Sequence, residues 1–204
     1  MATLKAAGMV VLLTALATVS IAAAIKARKV AATPPPAKVA TAAKQKTPIV
    51  SADDLQLLAA RRLLMPVKGY DSARLRNNFD ETRGGTRRHE ALDIMAARGT
   101  PVVAVDDGAV AKLFTSAAGG ITVYQFDPDE KFAYYYAHLD RYADGLRQGA
   151  MLKRGDLIGY VGSTGNAPAS APHLHFTIFQ LGPEKQWWKG KAVNPFPYLT
   201  DAAR

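Results

Sequence analysis

Seven residues near the C-terminus, His173-Leu174-His175-Phe176-Thr177-Ile178-Phe179, constrain the fold more than any other stretch. Side chains alternate faces along a strand. Leu174, Phe176 and Ile178 share one face, and that face needs a core. His173, His175, Thr177 and Phe179 share the other. Their two imidazoles stand about 6.5–7 Å apart at the Cα atoms and point together from the second face. The segment therefore asks for a sheet with one side buried and the other side free for chemistry.

The rest of the chain supplies partners for that strand. Val102–Val105, the turn Asp107-Gly108 and Ala109–Leu113 read as strand, turn, strand. Ile121–Phe126, the turn Asp127-Pro128-Asp129 and Phe132–Leu139 read as a hairpin, and Leu157–Gly162 as another short strand. Many short strands between Gly and Pro turns predict a mainly β fold with an antiparallel sheet at its core. One short helix precedes it over residues 51–65. Ser51 is its N-cap, Asp53 and Asp54 sit in its positive first turn, and Leu55, Leu58, Arg62 and Met65 recur at helical spacing until Pro66 stops it.

Upstream, residues 6–25 carry no charge and follow Lys5. Their length suits a membrane span, and Ala22-Ala23-Ala24 suits a cleavage site, so residues 1–25 read as an anchor or a signal peptide. Both readings export the rest of the chain. The flanking charges run the other way: Lys26, Arg28 and Lys29 follow the apolar stretch, against the positive-inside rule for an anchor. Export is therefore read from the downstream site. Residues 26–50, rich in Ala, Lys and Pro, read as a disordered linker.

Charge and cysteine content exclude whole classes. The net charge is +9, but seven of the 26 basic residues precede residue 51, where there is no acid. Beyond it, 19 basic residues face 17 acidic ones. The basic character belongs to the tail, so no nucleic-acid partner is expected, whereas a membrane contact through the N-terminal segment is. The absence of cysteine removes thiolate metal sites, disulfides and a thiol nucleophile.

All four histidines fall in three segments. His173 and His175 form His-x-His. His89 and Asp93 form His-x-x-x-Asp. His138 closes an aromatic run after Tyr134 and Tyr136. On a straight strand His89 and Asp93 would lie about 13 Å apart, so a bend or bulge must fall between them if they share one ion. Tyr134, Tyr136 and His138, at period two, are expected to face the same way. Two histidines and an aspartate with room for water make a zinc-hydrolase arrangement, and a further imidazole beside it suits a general base. A two-His-one-carboxylate set also suits Fe(II), but export and the extra histidines weigh against that.

HEALDI, YAHLD, LKRGDLIGYVGSTG, APHLHF and NPFPYL occur here in one order. In that order they resemble the LytM-like (lysostaphin-type) zinc metallopeptidases of the M23 family, from about Met65 to Leu199. The resemblance implies an M23-like metallopeptidase domain over residues 66–204. It implies Zn2+ held by His89, Asp93 and His175, with His138 and His173 as catalytic residues flanking the metal's water. One of these two would act as base and the other as donor to the oxyanion, in either order. The implied substrate is peptidoglycan, cut in its peptide stems at the D-alanyl bond to a diamino acid, with glycine bridges as the second choice. The implied place is the periplasmic or cell-envelope side. A non-catalytic LytM-type regulator that activates another hydrolase is the alternative function. Ala91, Ala171 and Thr177 depart from residues usual in the family, and none of the three is a ligand position.

Overall fold

The computed structural model describes residues 50–201. The expected anchor or signal at residues 1–25, and all but the last residue of the 26–50 linker, lie outside the described residues. Among the described residues, no helix is long and apolar enough to cross a membrane.

The helix α1, Ala52–Arg61, starts where its cap chemistry places it: Ser51 accepts a hydrogen bond from the Asp54 N–H at 3.0 Å. It ends earlier than Pro66. Arg62 takes a left-handed conformation (φ 49°). The next two residues, Leu63–Leu64 (β1), run extended beside Leu199–Thr200 (β13) in a parallel pair. Burial of Leu63 in the core outweighs the helical spacing that Met65 seemed to continue.

Between these lie β2 (Thr82–Arg83), β3 (Arg87–Arg88), β4 (Leu92–Met95), β5 (Pro101–Val103), β6 (Gly108–Ser116) and β7 (Gly120–Phe126). After them come β8 (Phe132–Tyr142), β9 (Met151–Leu152), β10 (Leu157–Val161), β11 (His173–Leu181) and β12 (Gly190–Val193). The main sheet runs β12-β11-β8-β7-β6-β9 and is antiparallel throughout. The expected hairpin is β7–β8. β4 also pairs with β11, and β10 joins the C-terminal half of β8 to β5. The core lies on one face, under Leu174, Phe176 and Ile178 of β11 and Tyr134 and Tyr136 of β8, all fully buried. The two tyrosine hydroxyls are not stranded there. Tyr134 donates to Asp106 at 3.0 Å and Tyr136 to Gln125 at 2.7 Å.

Arg61 fastens α1 to the sheet. Its guanidinium bonds Asp106, between β5 and β6, at 2.9 Å, and Asp127 and Asp129, at the β7–β8 turn, both at 2.7 Å. Asp54 adds a bond from Gln180 at 2.6 Å. Both ties lie at the end of the sheet away from the histidines. The Asp127 side chain is fully buried and also accepts from the Phe132 N–H at 2.7 Å. Removing one partner of such a pair strands the other charge. Arg61→Ala is therefore expected to lower unfolding free energy by about 3 kcal/mol, read from the midpoint of denaturant unfolding. A change within the scatter of surface mutants would contradict the anchoring role.

Candidate metal centre

The register of two strands places the first two groups. β4 and β11 pair antiparallel, with Asp93 directly opposite His175. Facing side chains in such a pair are near neighbours, and Asp93 Oδ1 lies 3.1 Å from His175 Nδ1. His89 arrives from the short hairpin β2–β3, whose turn is made by Gly84 and Gly85 in left-handed conformations (φ 57° and 88°). The required bend is at Glu90, a non-glycine residue at φ 57°. It is held by the bonds from the His89 N–H to Glu81 O and from the Glu90 N–H to Phe79 O, both 2.8 Å. His89 Nε2 thereby comes within 2.9 Å of Asp93 Oδ1 and 3.2 Å of His175 Nδ1.

Ring N–H groups at these distances can donate to Asp93 Oδ1; with both rings presenting lone pairs instead, the three atoms would repel unless they shared a cation. Tetrahedral zinc ligands at about 2.0–2.1 Å from the ion sit about 3.3 Å apart. The donor set and its spacing therefore fit a divalent metal. The His89 Nδ1 lies 3.0 Å from the Asn78 carbonyl, which can only accept. The Arg83 guanidinium, which only donates, lies 3.2 Å from the same Nδ1. With the proton on Nδ1 toward Asn78, Nε2 has its lone pair free for a metal, and with the proton on Nε2 it donates to Asp93 instead.

The other two histidines stand beside this cluster. His173 shares the site face of β11 with His175, as the alternation requires, and its Nε2 lies 3.6 Å from Asp93 Oδ1. The His138 ring lies 4.9 Å from that of His173 and 5.4 Å from that of His175. The structure thus brings all five candidate residues together. It corrects one expectation. Tyr134 and Tyr136 face the core, whereas His138 faces the site. Ala137 and His138 together stand opposite the single Thr122 of β7, and His138 has φ 60°. This bulge inserts one residue and reverses the alternation. It is pinned by the bond from the His138 N–H to Gly119 O at 2.8 Å.

Residues 87–195 match Peptidase family M23. The chain belongs to this family. It is 31% identical over 131 residues to the L-Ala–D-Glu endopeptidase of Bacillus subtilis, covering 61% of this chain and 39% of that protein. It is 31% identical over 122 residues to the murein hydrolase activator NlpD of Salmonella dublin, covering 60% and 28%. The crystal structure of a LytM protein from Ruminococcus gnavus shares the fold, with TM-score 0.58 and 27% identity over 73% of this chain and 66% of that one. The chain spans less than two fifths of the length of either curated relative.

In this M23 domain both flanking imidazoles are oriented by backbone carbonyls. His138 Nδ1 is 2.8 Å from Thr164 O, and His173 Nδ1 is 2.8 Å from Ala171 O. Both Nδ1 atoms carry a proton, and in the neutral ring each Nε2 then presents a lone pair. Burial pushes His138 down to about 4 and lowers His175 as well, despite its bond to Asp93. For Asp93, burial acts upward, but the bonds from His175 and His89 outweigh it and hold the carboxyl far below the usual range. The cleft around the centre, about 390 Å³, is also lined by Arg83, Arg87, Tyr135 and Asn166.

Arg83 escaped the sequence reading. Its guanidinium bonds Asp93 Oδ2 at 2.7 Å and reaches Glu81 at 3.3 Å. One carboxylate oxygen is thereby occupied, leaving Oδ1 to face the two histidines. No sequence signal singled out Arg83 among the arginines of Thr82–Arg88, because its role depends on where the β2–β3 hairpin lands. Groups behind a metal ligand typically change affinity by about 10–100-fold. Arg83→Met is expected to weaken zinc binding by about tenfold in chelator competition, with Arg83→Lys recovering only part.

A pH dependence follows from His138. In the unfolded chain its imidazole takes up a proton below about 6.5, while in the fold it does so only near 4. Protons therefore bind the unfolded state preferentially within that window, and stability falls as pH drops through it. The metal-stripped protein should lose stability between about pH 6.5 and 4, and His138→Gln should flatten that slope in denaturant titrations.

Proposed function

We propose that this chain is an exported zinc endopeptidase that hydrolyses the peptide cross-links of peptidoglycan. The observation that carries this reading is the pair of Nε2 lone pairs, on His138 and His173, aimed at a three-ligand cluster. Zinc held by His89, Asp93 and His175 would supply Lewis acidity, bringing water toward ionisation near neutral pH and polarising a peptide carbonyl.

The protein's own groups do the proton work. His138 and His173 are each poised to accept at Nε2, since Nδ1–H is committed to a carbonyl. Neither can donate until it has first been protonated. The imidazole that takes the proton from water is therefore the natural donor to the leaving amine, and the second can serve the carbonyl oxygen only as an imidazolium. Both residues are buried and each ring is tied to a carbonyl, which limits their rotation.

The cleft's charge supports a stem-peptide substrate. Arg83 and Arg87 line it, and stem peptides carry free carboxylates, whereas glycine bridges carry none. We assign the scissile bond to the D-alanyl link to a diamino acid. The Bacillus subtilis relative is named for a different stem bond, between L-Ala and D-Glu, so product masses decide between the two. Residues 6–25 would place the enzyme on the envelope side of the membrane as an anchor or a cleaved signal.

The likeness to NlpD, a murein hydrolase activator, favours a second reading in which the chain binds the wall and activates another hydrolase. Retention of all five site residues speaks for catalysis. The zinc-loaded full chain is expected to convert cross-linked muropeptides of purified sacculi to monomers. If it releases none but stimulates an added hydrolase, the activator reading stands instead. His138→Gln and His173→Gln should each lower turnover by at least about 10²-fold while keeping one zinc per chain by metal analysis. Loss of zinc in either would make that residue a ligand.

A further inference from the structure

The site face of the sheet carries more aromatic surface than the metal centre uses. Tyr135 of β8 pairs with Thr177 of β11, and Tyr124 of β7 pairs with Tyr135, so both share the face of His175. The connection from β11 to β12 folds back over this face and lays Trp187 on Tyr124. Ring centroids then step from His175 to Tyr135 (6.2 Å), Tyr124 (4.5 Å), Trp187 (4.8 Å) and Trp188 (5.2 Å). Trp188, at the end of this series, is 62% exposed.

We propose that Trp187 and Trp188 form a glycan subsite, which stacks on the amino-sugar rings that bear the stem peptide. The inference rests on the endopeptidase reading above. Reach supports it. The three ring steps place Trp187 within about 16 Å of His175, and a four-residue stem extended at about 3.3–3.6 Å per residue spans about 13–14 Å. With the scissile bond at the metal centre, the sugar at the far end of the stem falls beside the indoles. Chemistry supports it as well. A pyranose offers an apolar C–H face whose slightly positive hydrogens suit the negative face of an indole. An indole as exposed as that of Trp188 adds little to the core, but would bury that area against a ligand. Lys112, its ammonium 5.9 Å from the Trp187 ring centroid, gives the patch a hydrogen-bond donor for sugar hydroxyl and amide oxygens. Arg83 and Arg87 at the metal cleft offer the peptide's carboxylates cationic partners, so the sugar, and not the peptide, is the occupant assigned to the indoles.

The test uses the full chain and two substrates: cross-linked muropeptides with their sugars, and the same peptide dimers with the sugars removed by an amidase. In the parent protein the sugars should raise kcat/KM at least tenfold. In Trp188→Ala, and in Trp187→Phe should Trp187→Ala fail to fold, that ratio should fall toward one. A ratio unchanged by these substitutions overturns the subsite, as does an equal loss on both substrates, which would mean that the indoles hold peptide. Independently, peptide-free glycan strands should shift the tryptophan fluorescence of the metal-stripped protein to saturation, and the Trp188→Ala variant should lose that response. If neither substrate is cleaved but glycan still binds, the endopeptidase reading fails and the subsite stands. If cleavage proceeds and glycan does not bind, the subsite alone fails.

Discussion

The pairing of β4 with β11 in a single register is the constraint on which the centre depends. It sets Asp93 opposite His175 and Ile94 opposite Leu174. The first pair faces the site and the second the core. Because strand side chains alternate, a slip of one residue would exchange these faces, burying a carboxylate and exposing an isoleucine. The cost of burying an unpaired carboxylate is large enough to exclude that register. Folding the core correctly and assembling two of the three metal-facing groups are therefore the same event. The hydrophobic face of β11 does the selecting, and the polar face inherits the result.

The remaining two positions are reached by breaking regularity. Glu90 and His138 both adopt left-handed backbone conformations without being glycine. Each costs of order 1–3 kcal/mol and persists only where its surroundings over-determine it. The surroundings here are the backbone bonds to Phe79 and Glu81 on one side and to Gly119 on the other. Gly165 shows how tightly the second is built. At φ +74° it packs against Gly120 N, and an added Cβ would come within 2.3 Å of that atom. The loop that carries Thr164, the carbonyl partner of His138, is thus locked to the loop that carries Gly119. The strain is local to the site, and the rigid sheet absorbs it.

This division explains what could be read from the amino-acid sequence. The alternation of His173–Phe179 gave the two faces of β11 without ambiguity, because an uninterrupted strand obeys period two. The bend between His89 and Asp93 was legible as a necessity, though not its position at Glu90. The face of His138 was misread, since a bulge leaves no mark in the pattern of Tyr134, Tyr136 and His138 and appears only once β7 is paired. The early end of α1 was hidden for the same reason: Leu63 is taken by a strand partner, Leu199, that lies far along the chain. Arg83 and Trp187 were invisible because each acts where a connection lands on the sheet. Local periodicity carries information about regular elements, and the site is assembled largely from their interruptions.

Charge completes the logic of the cleft. The metal-facing set contains one carboxylate, Asp93, and that carboxylate is already shared with Arg83. A divalent ion held there would leave the centre with net positive charge before any substrate arrives, and Arg87 adds to it at the cleft wall. His138, which burial holds below its ordinary pKa, adds nothing further at neutral pH. Had His138 and His173 instead been hydrogen-bonded to carboxylates at Nδ1, they would be stronger bases, but they would cancel that positive field. Backbone carbonyls orient the rings without adding charge. Under the endopeptidase reading, such a centre would attract an anionic peptide and polarise its carbonyl while both rings stay oriented by their carbonyl partners.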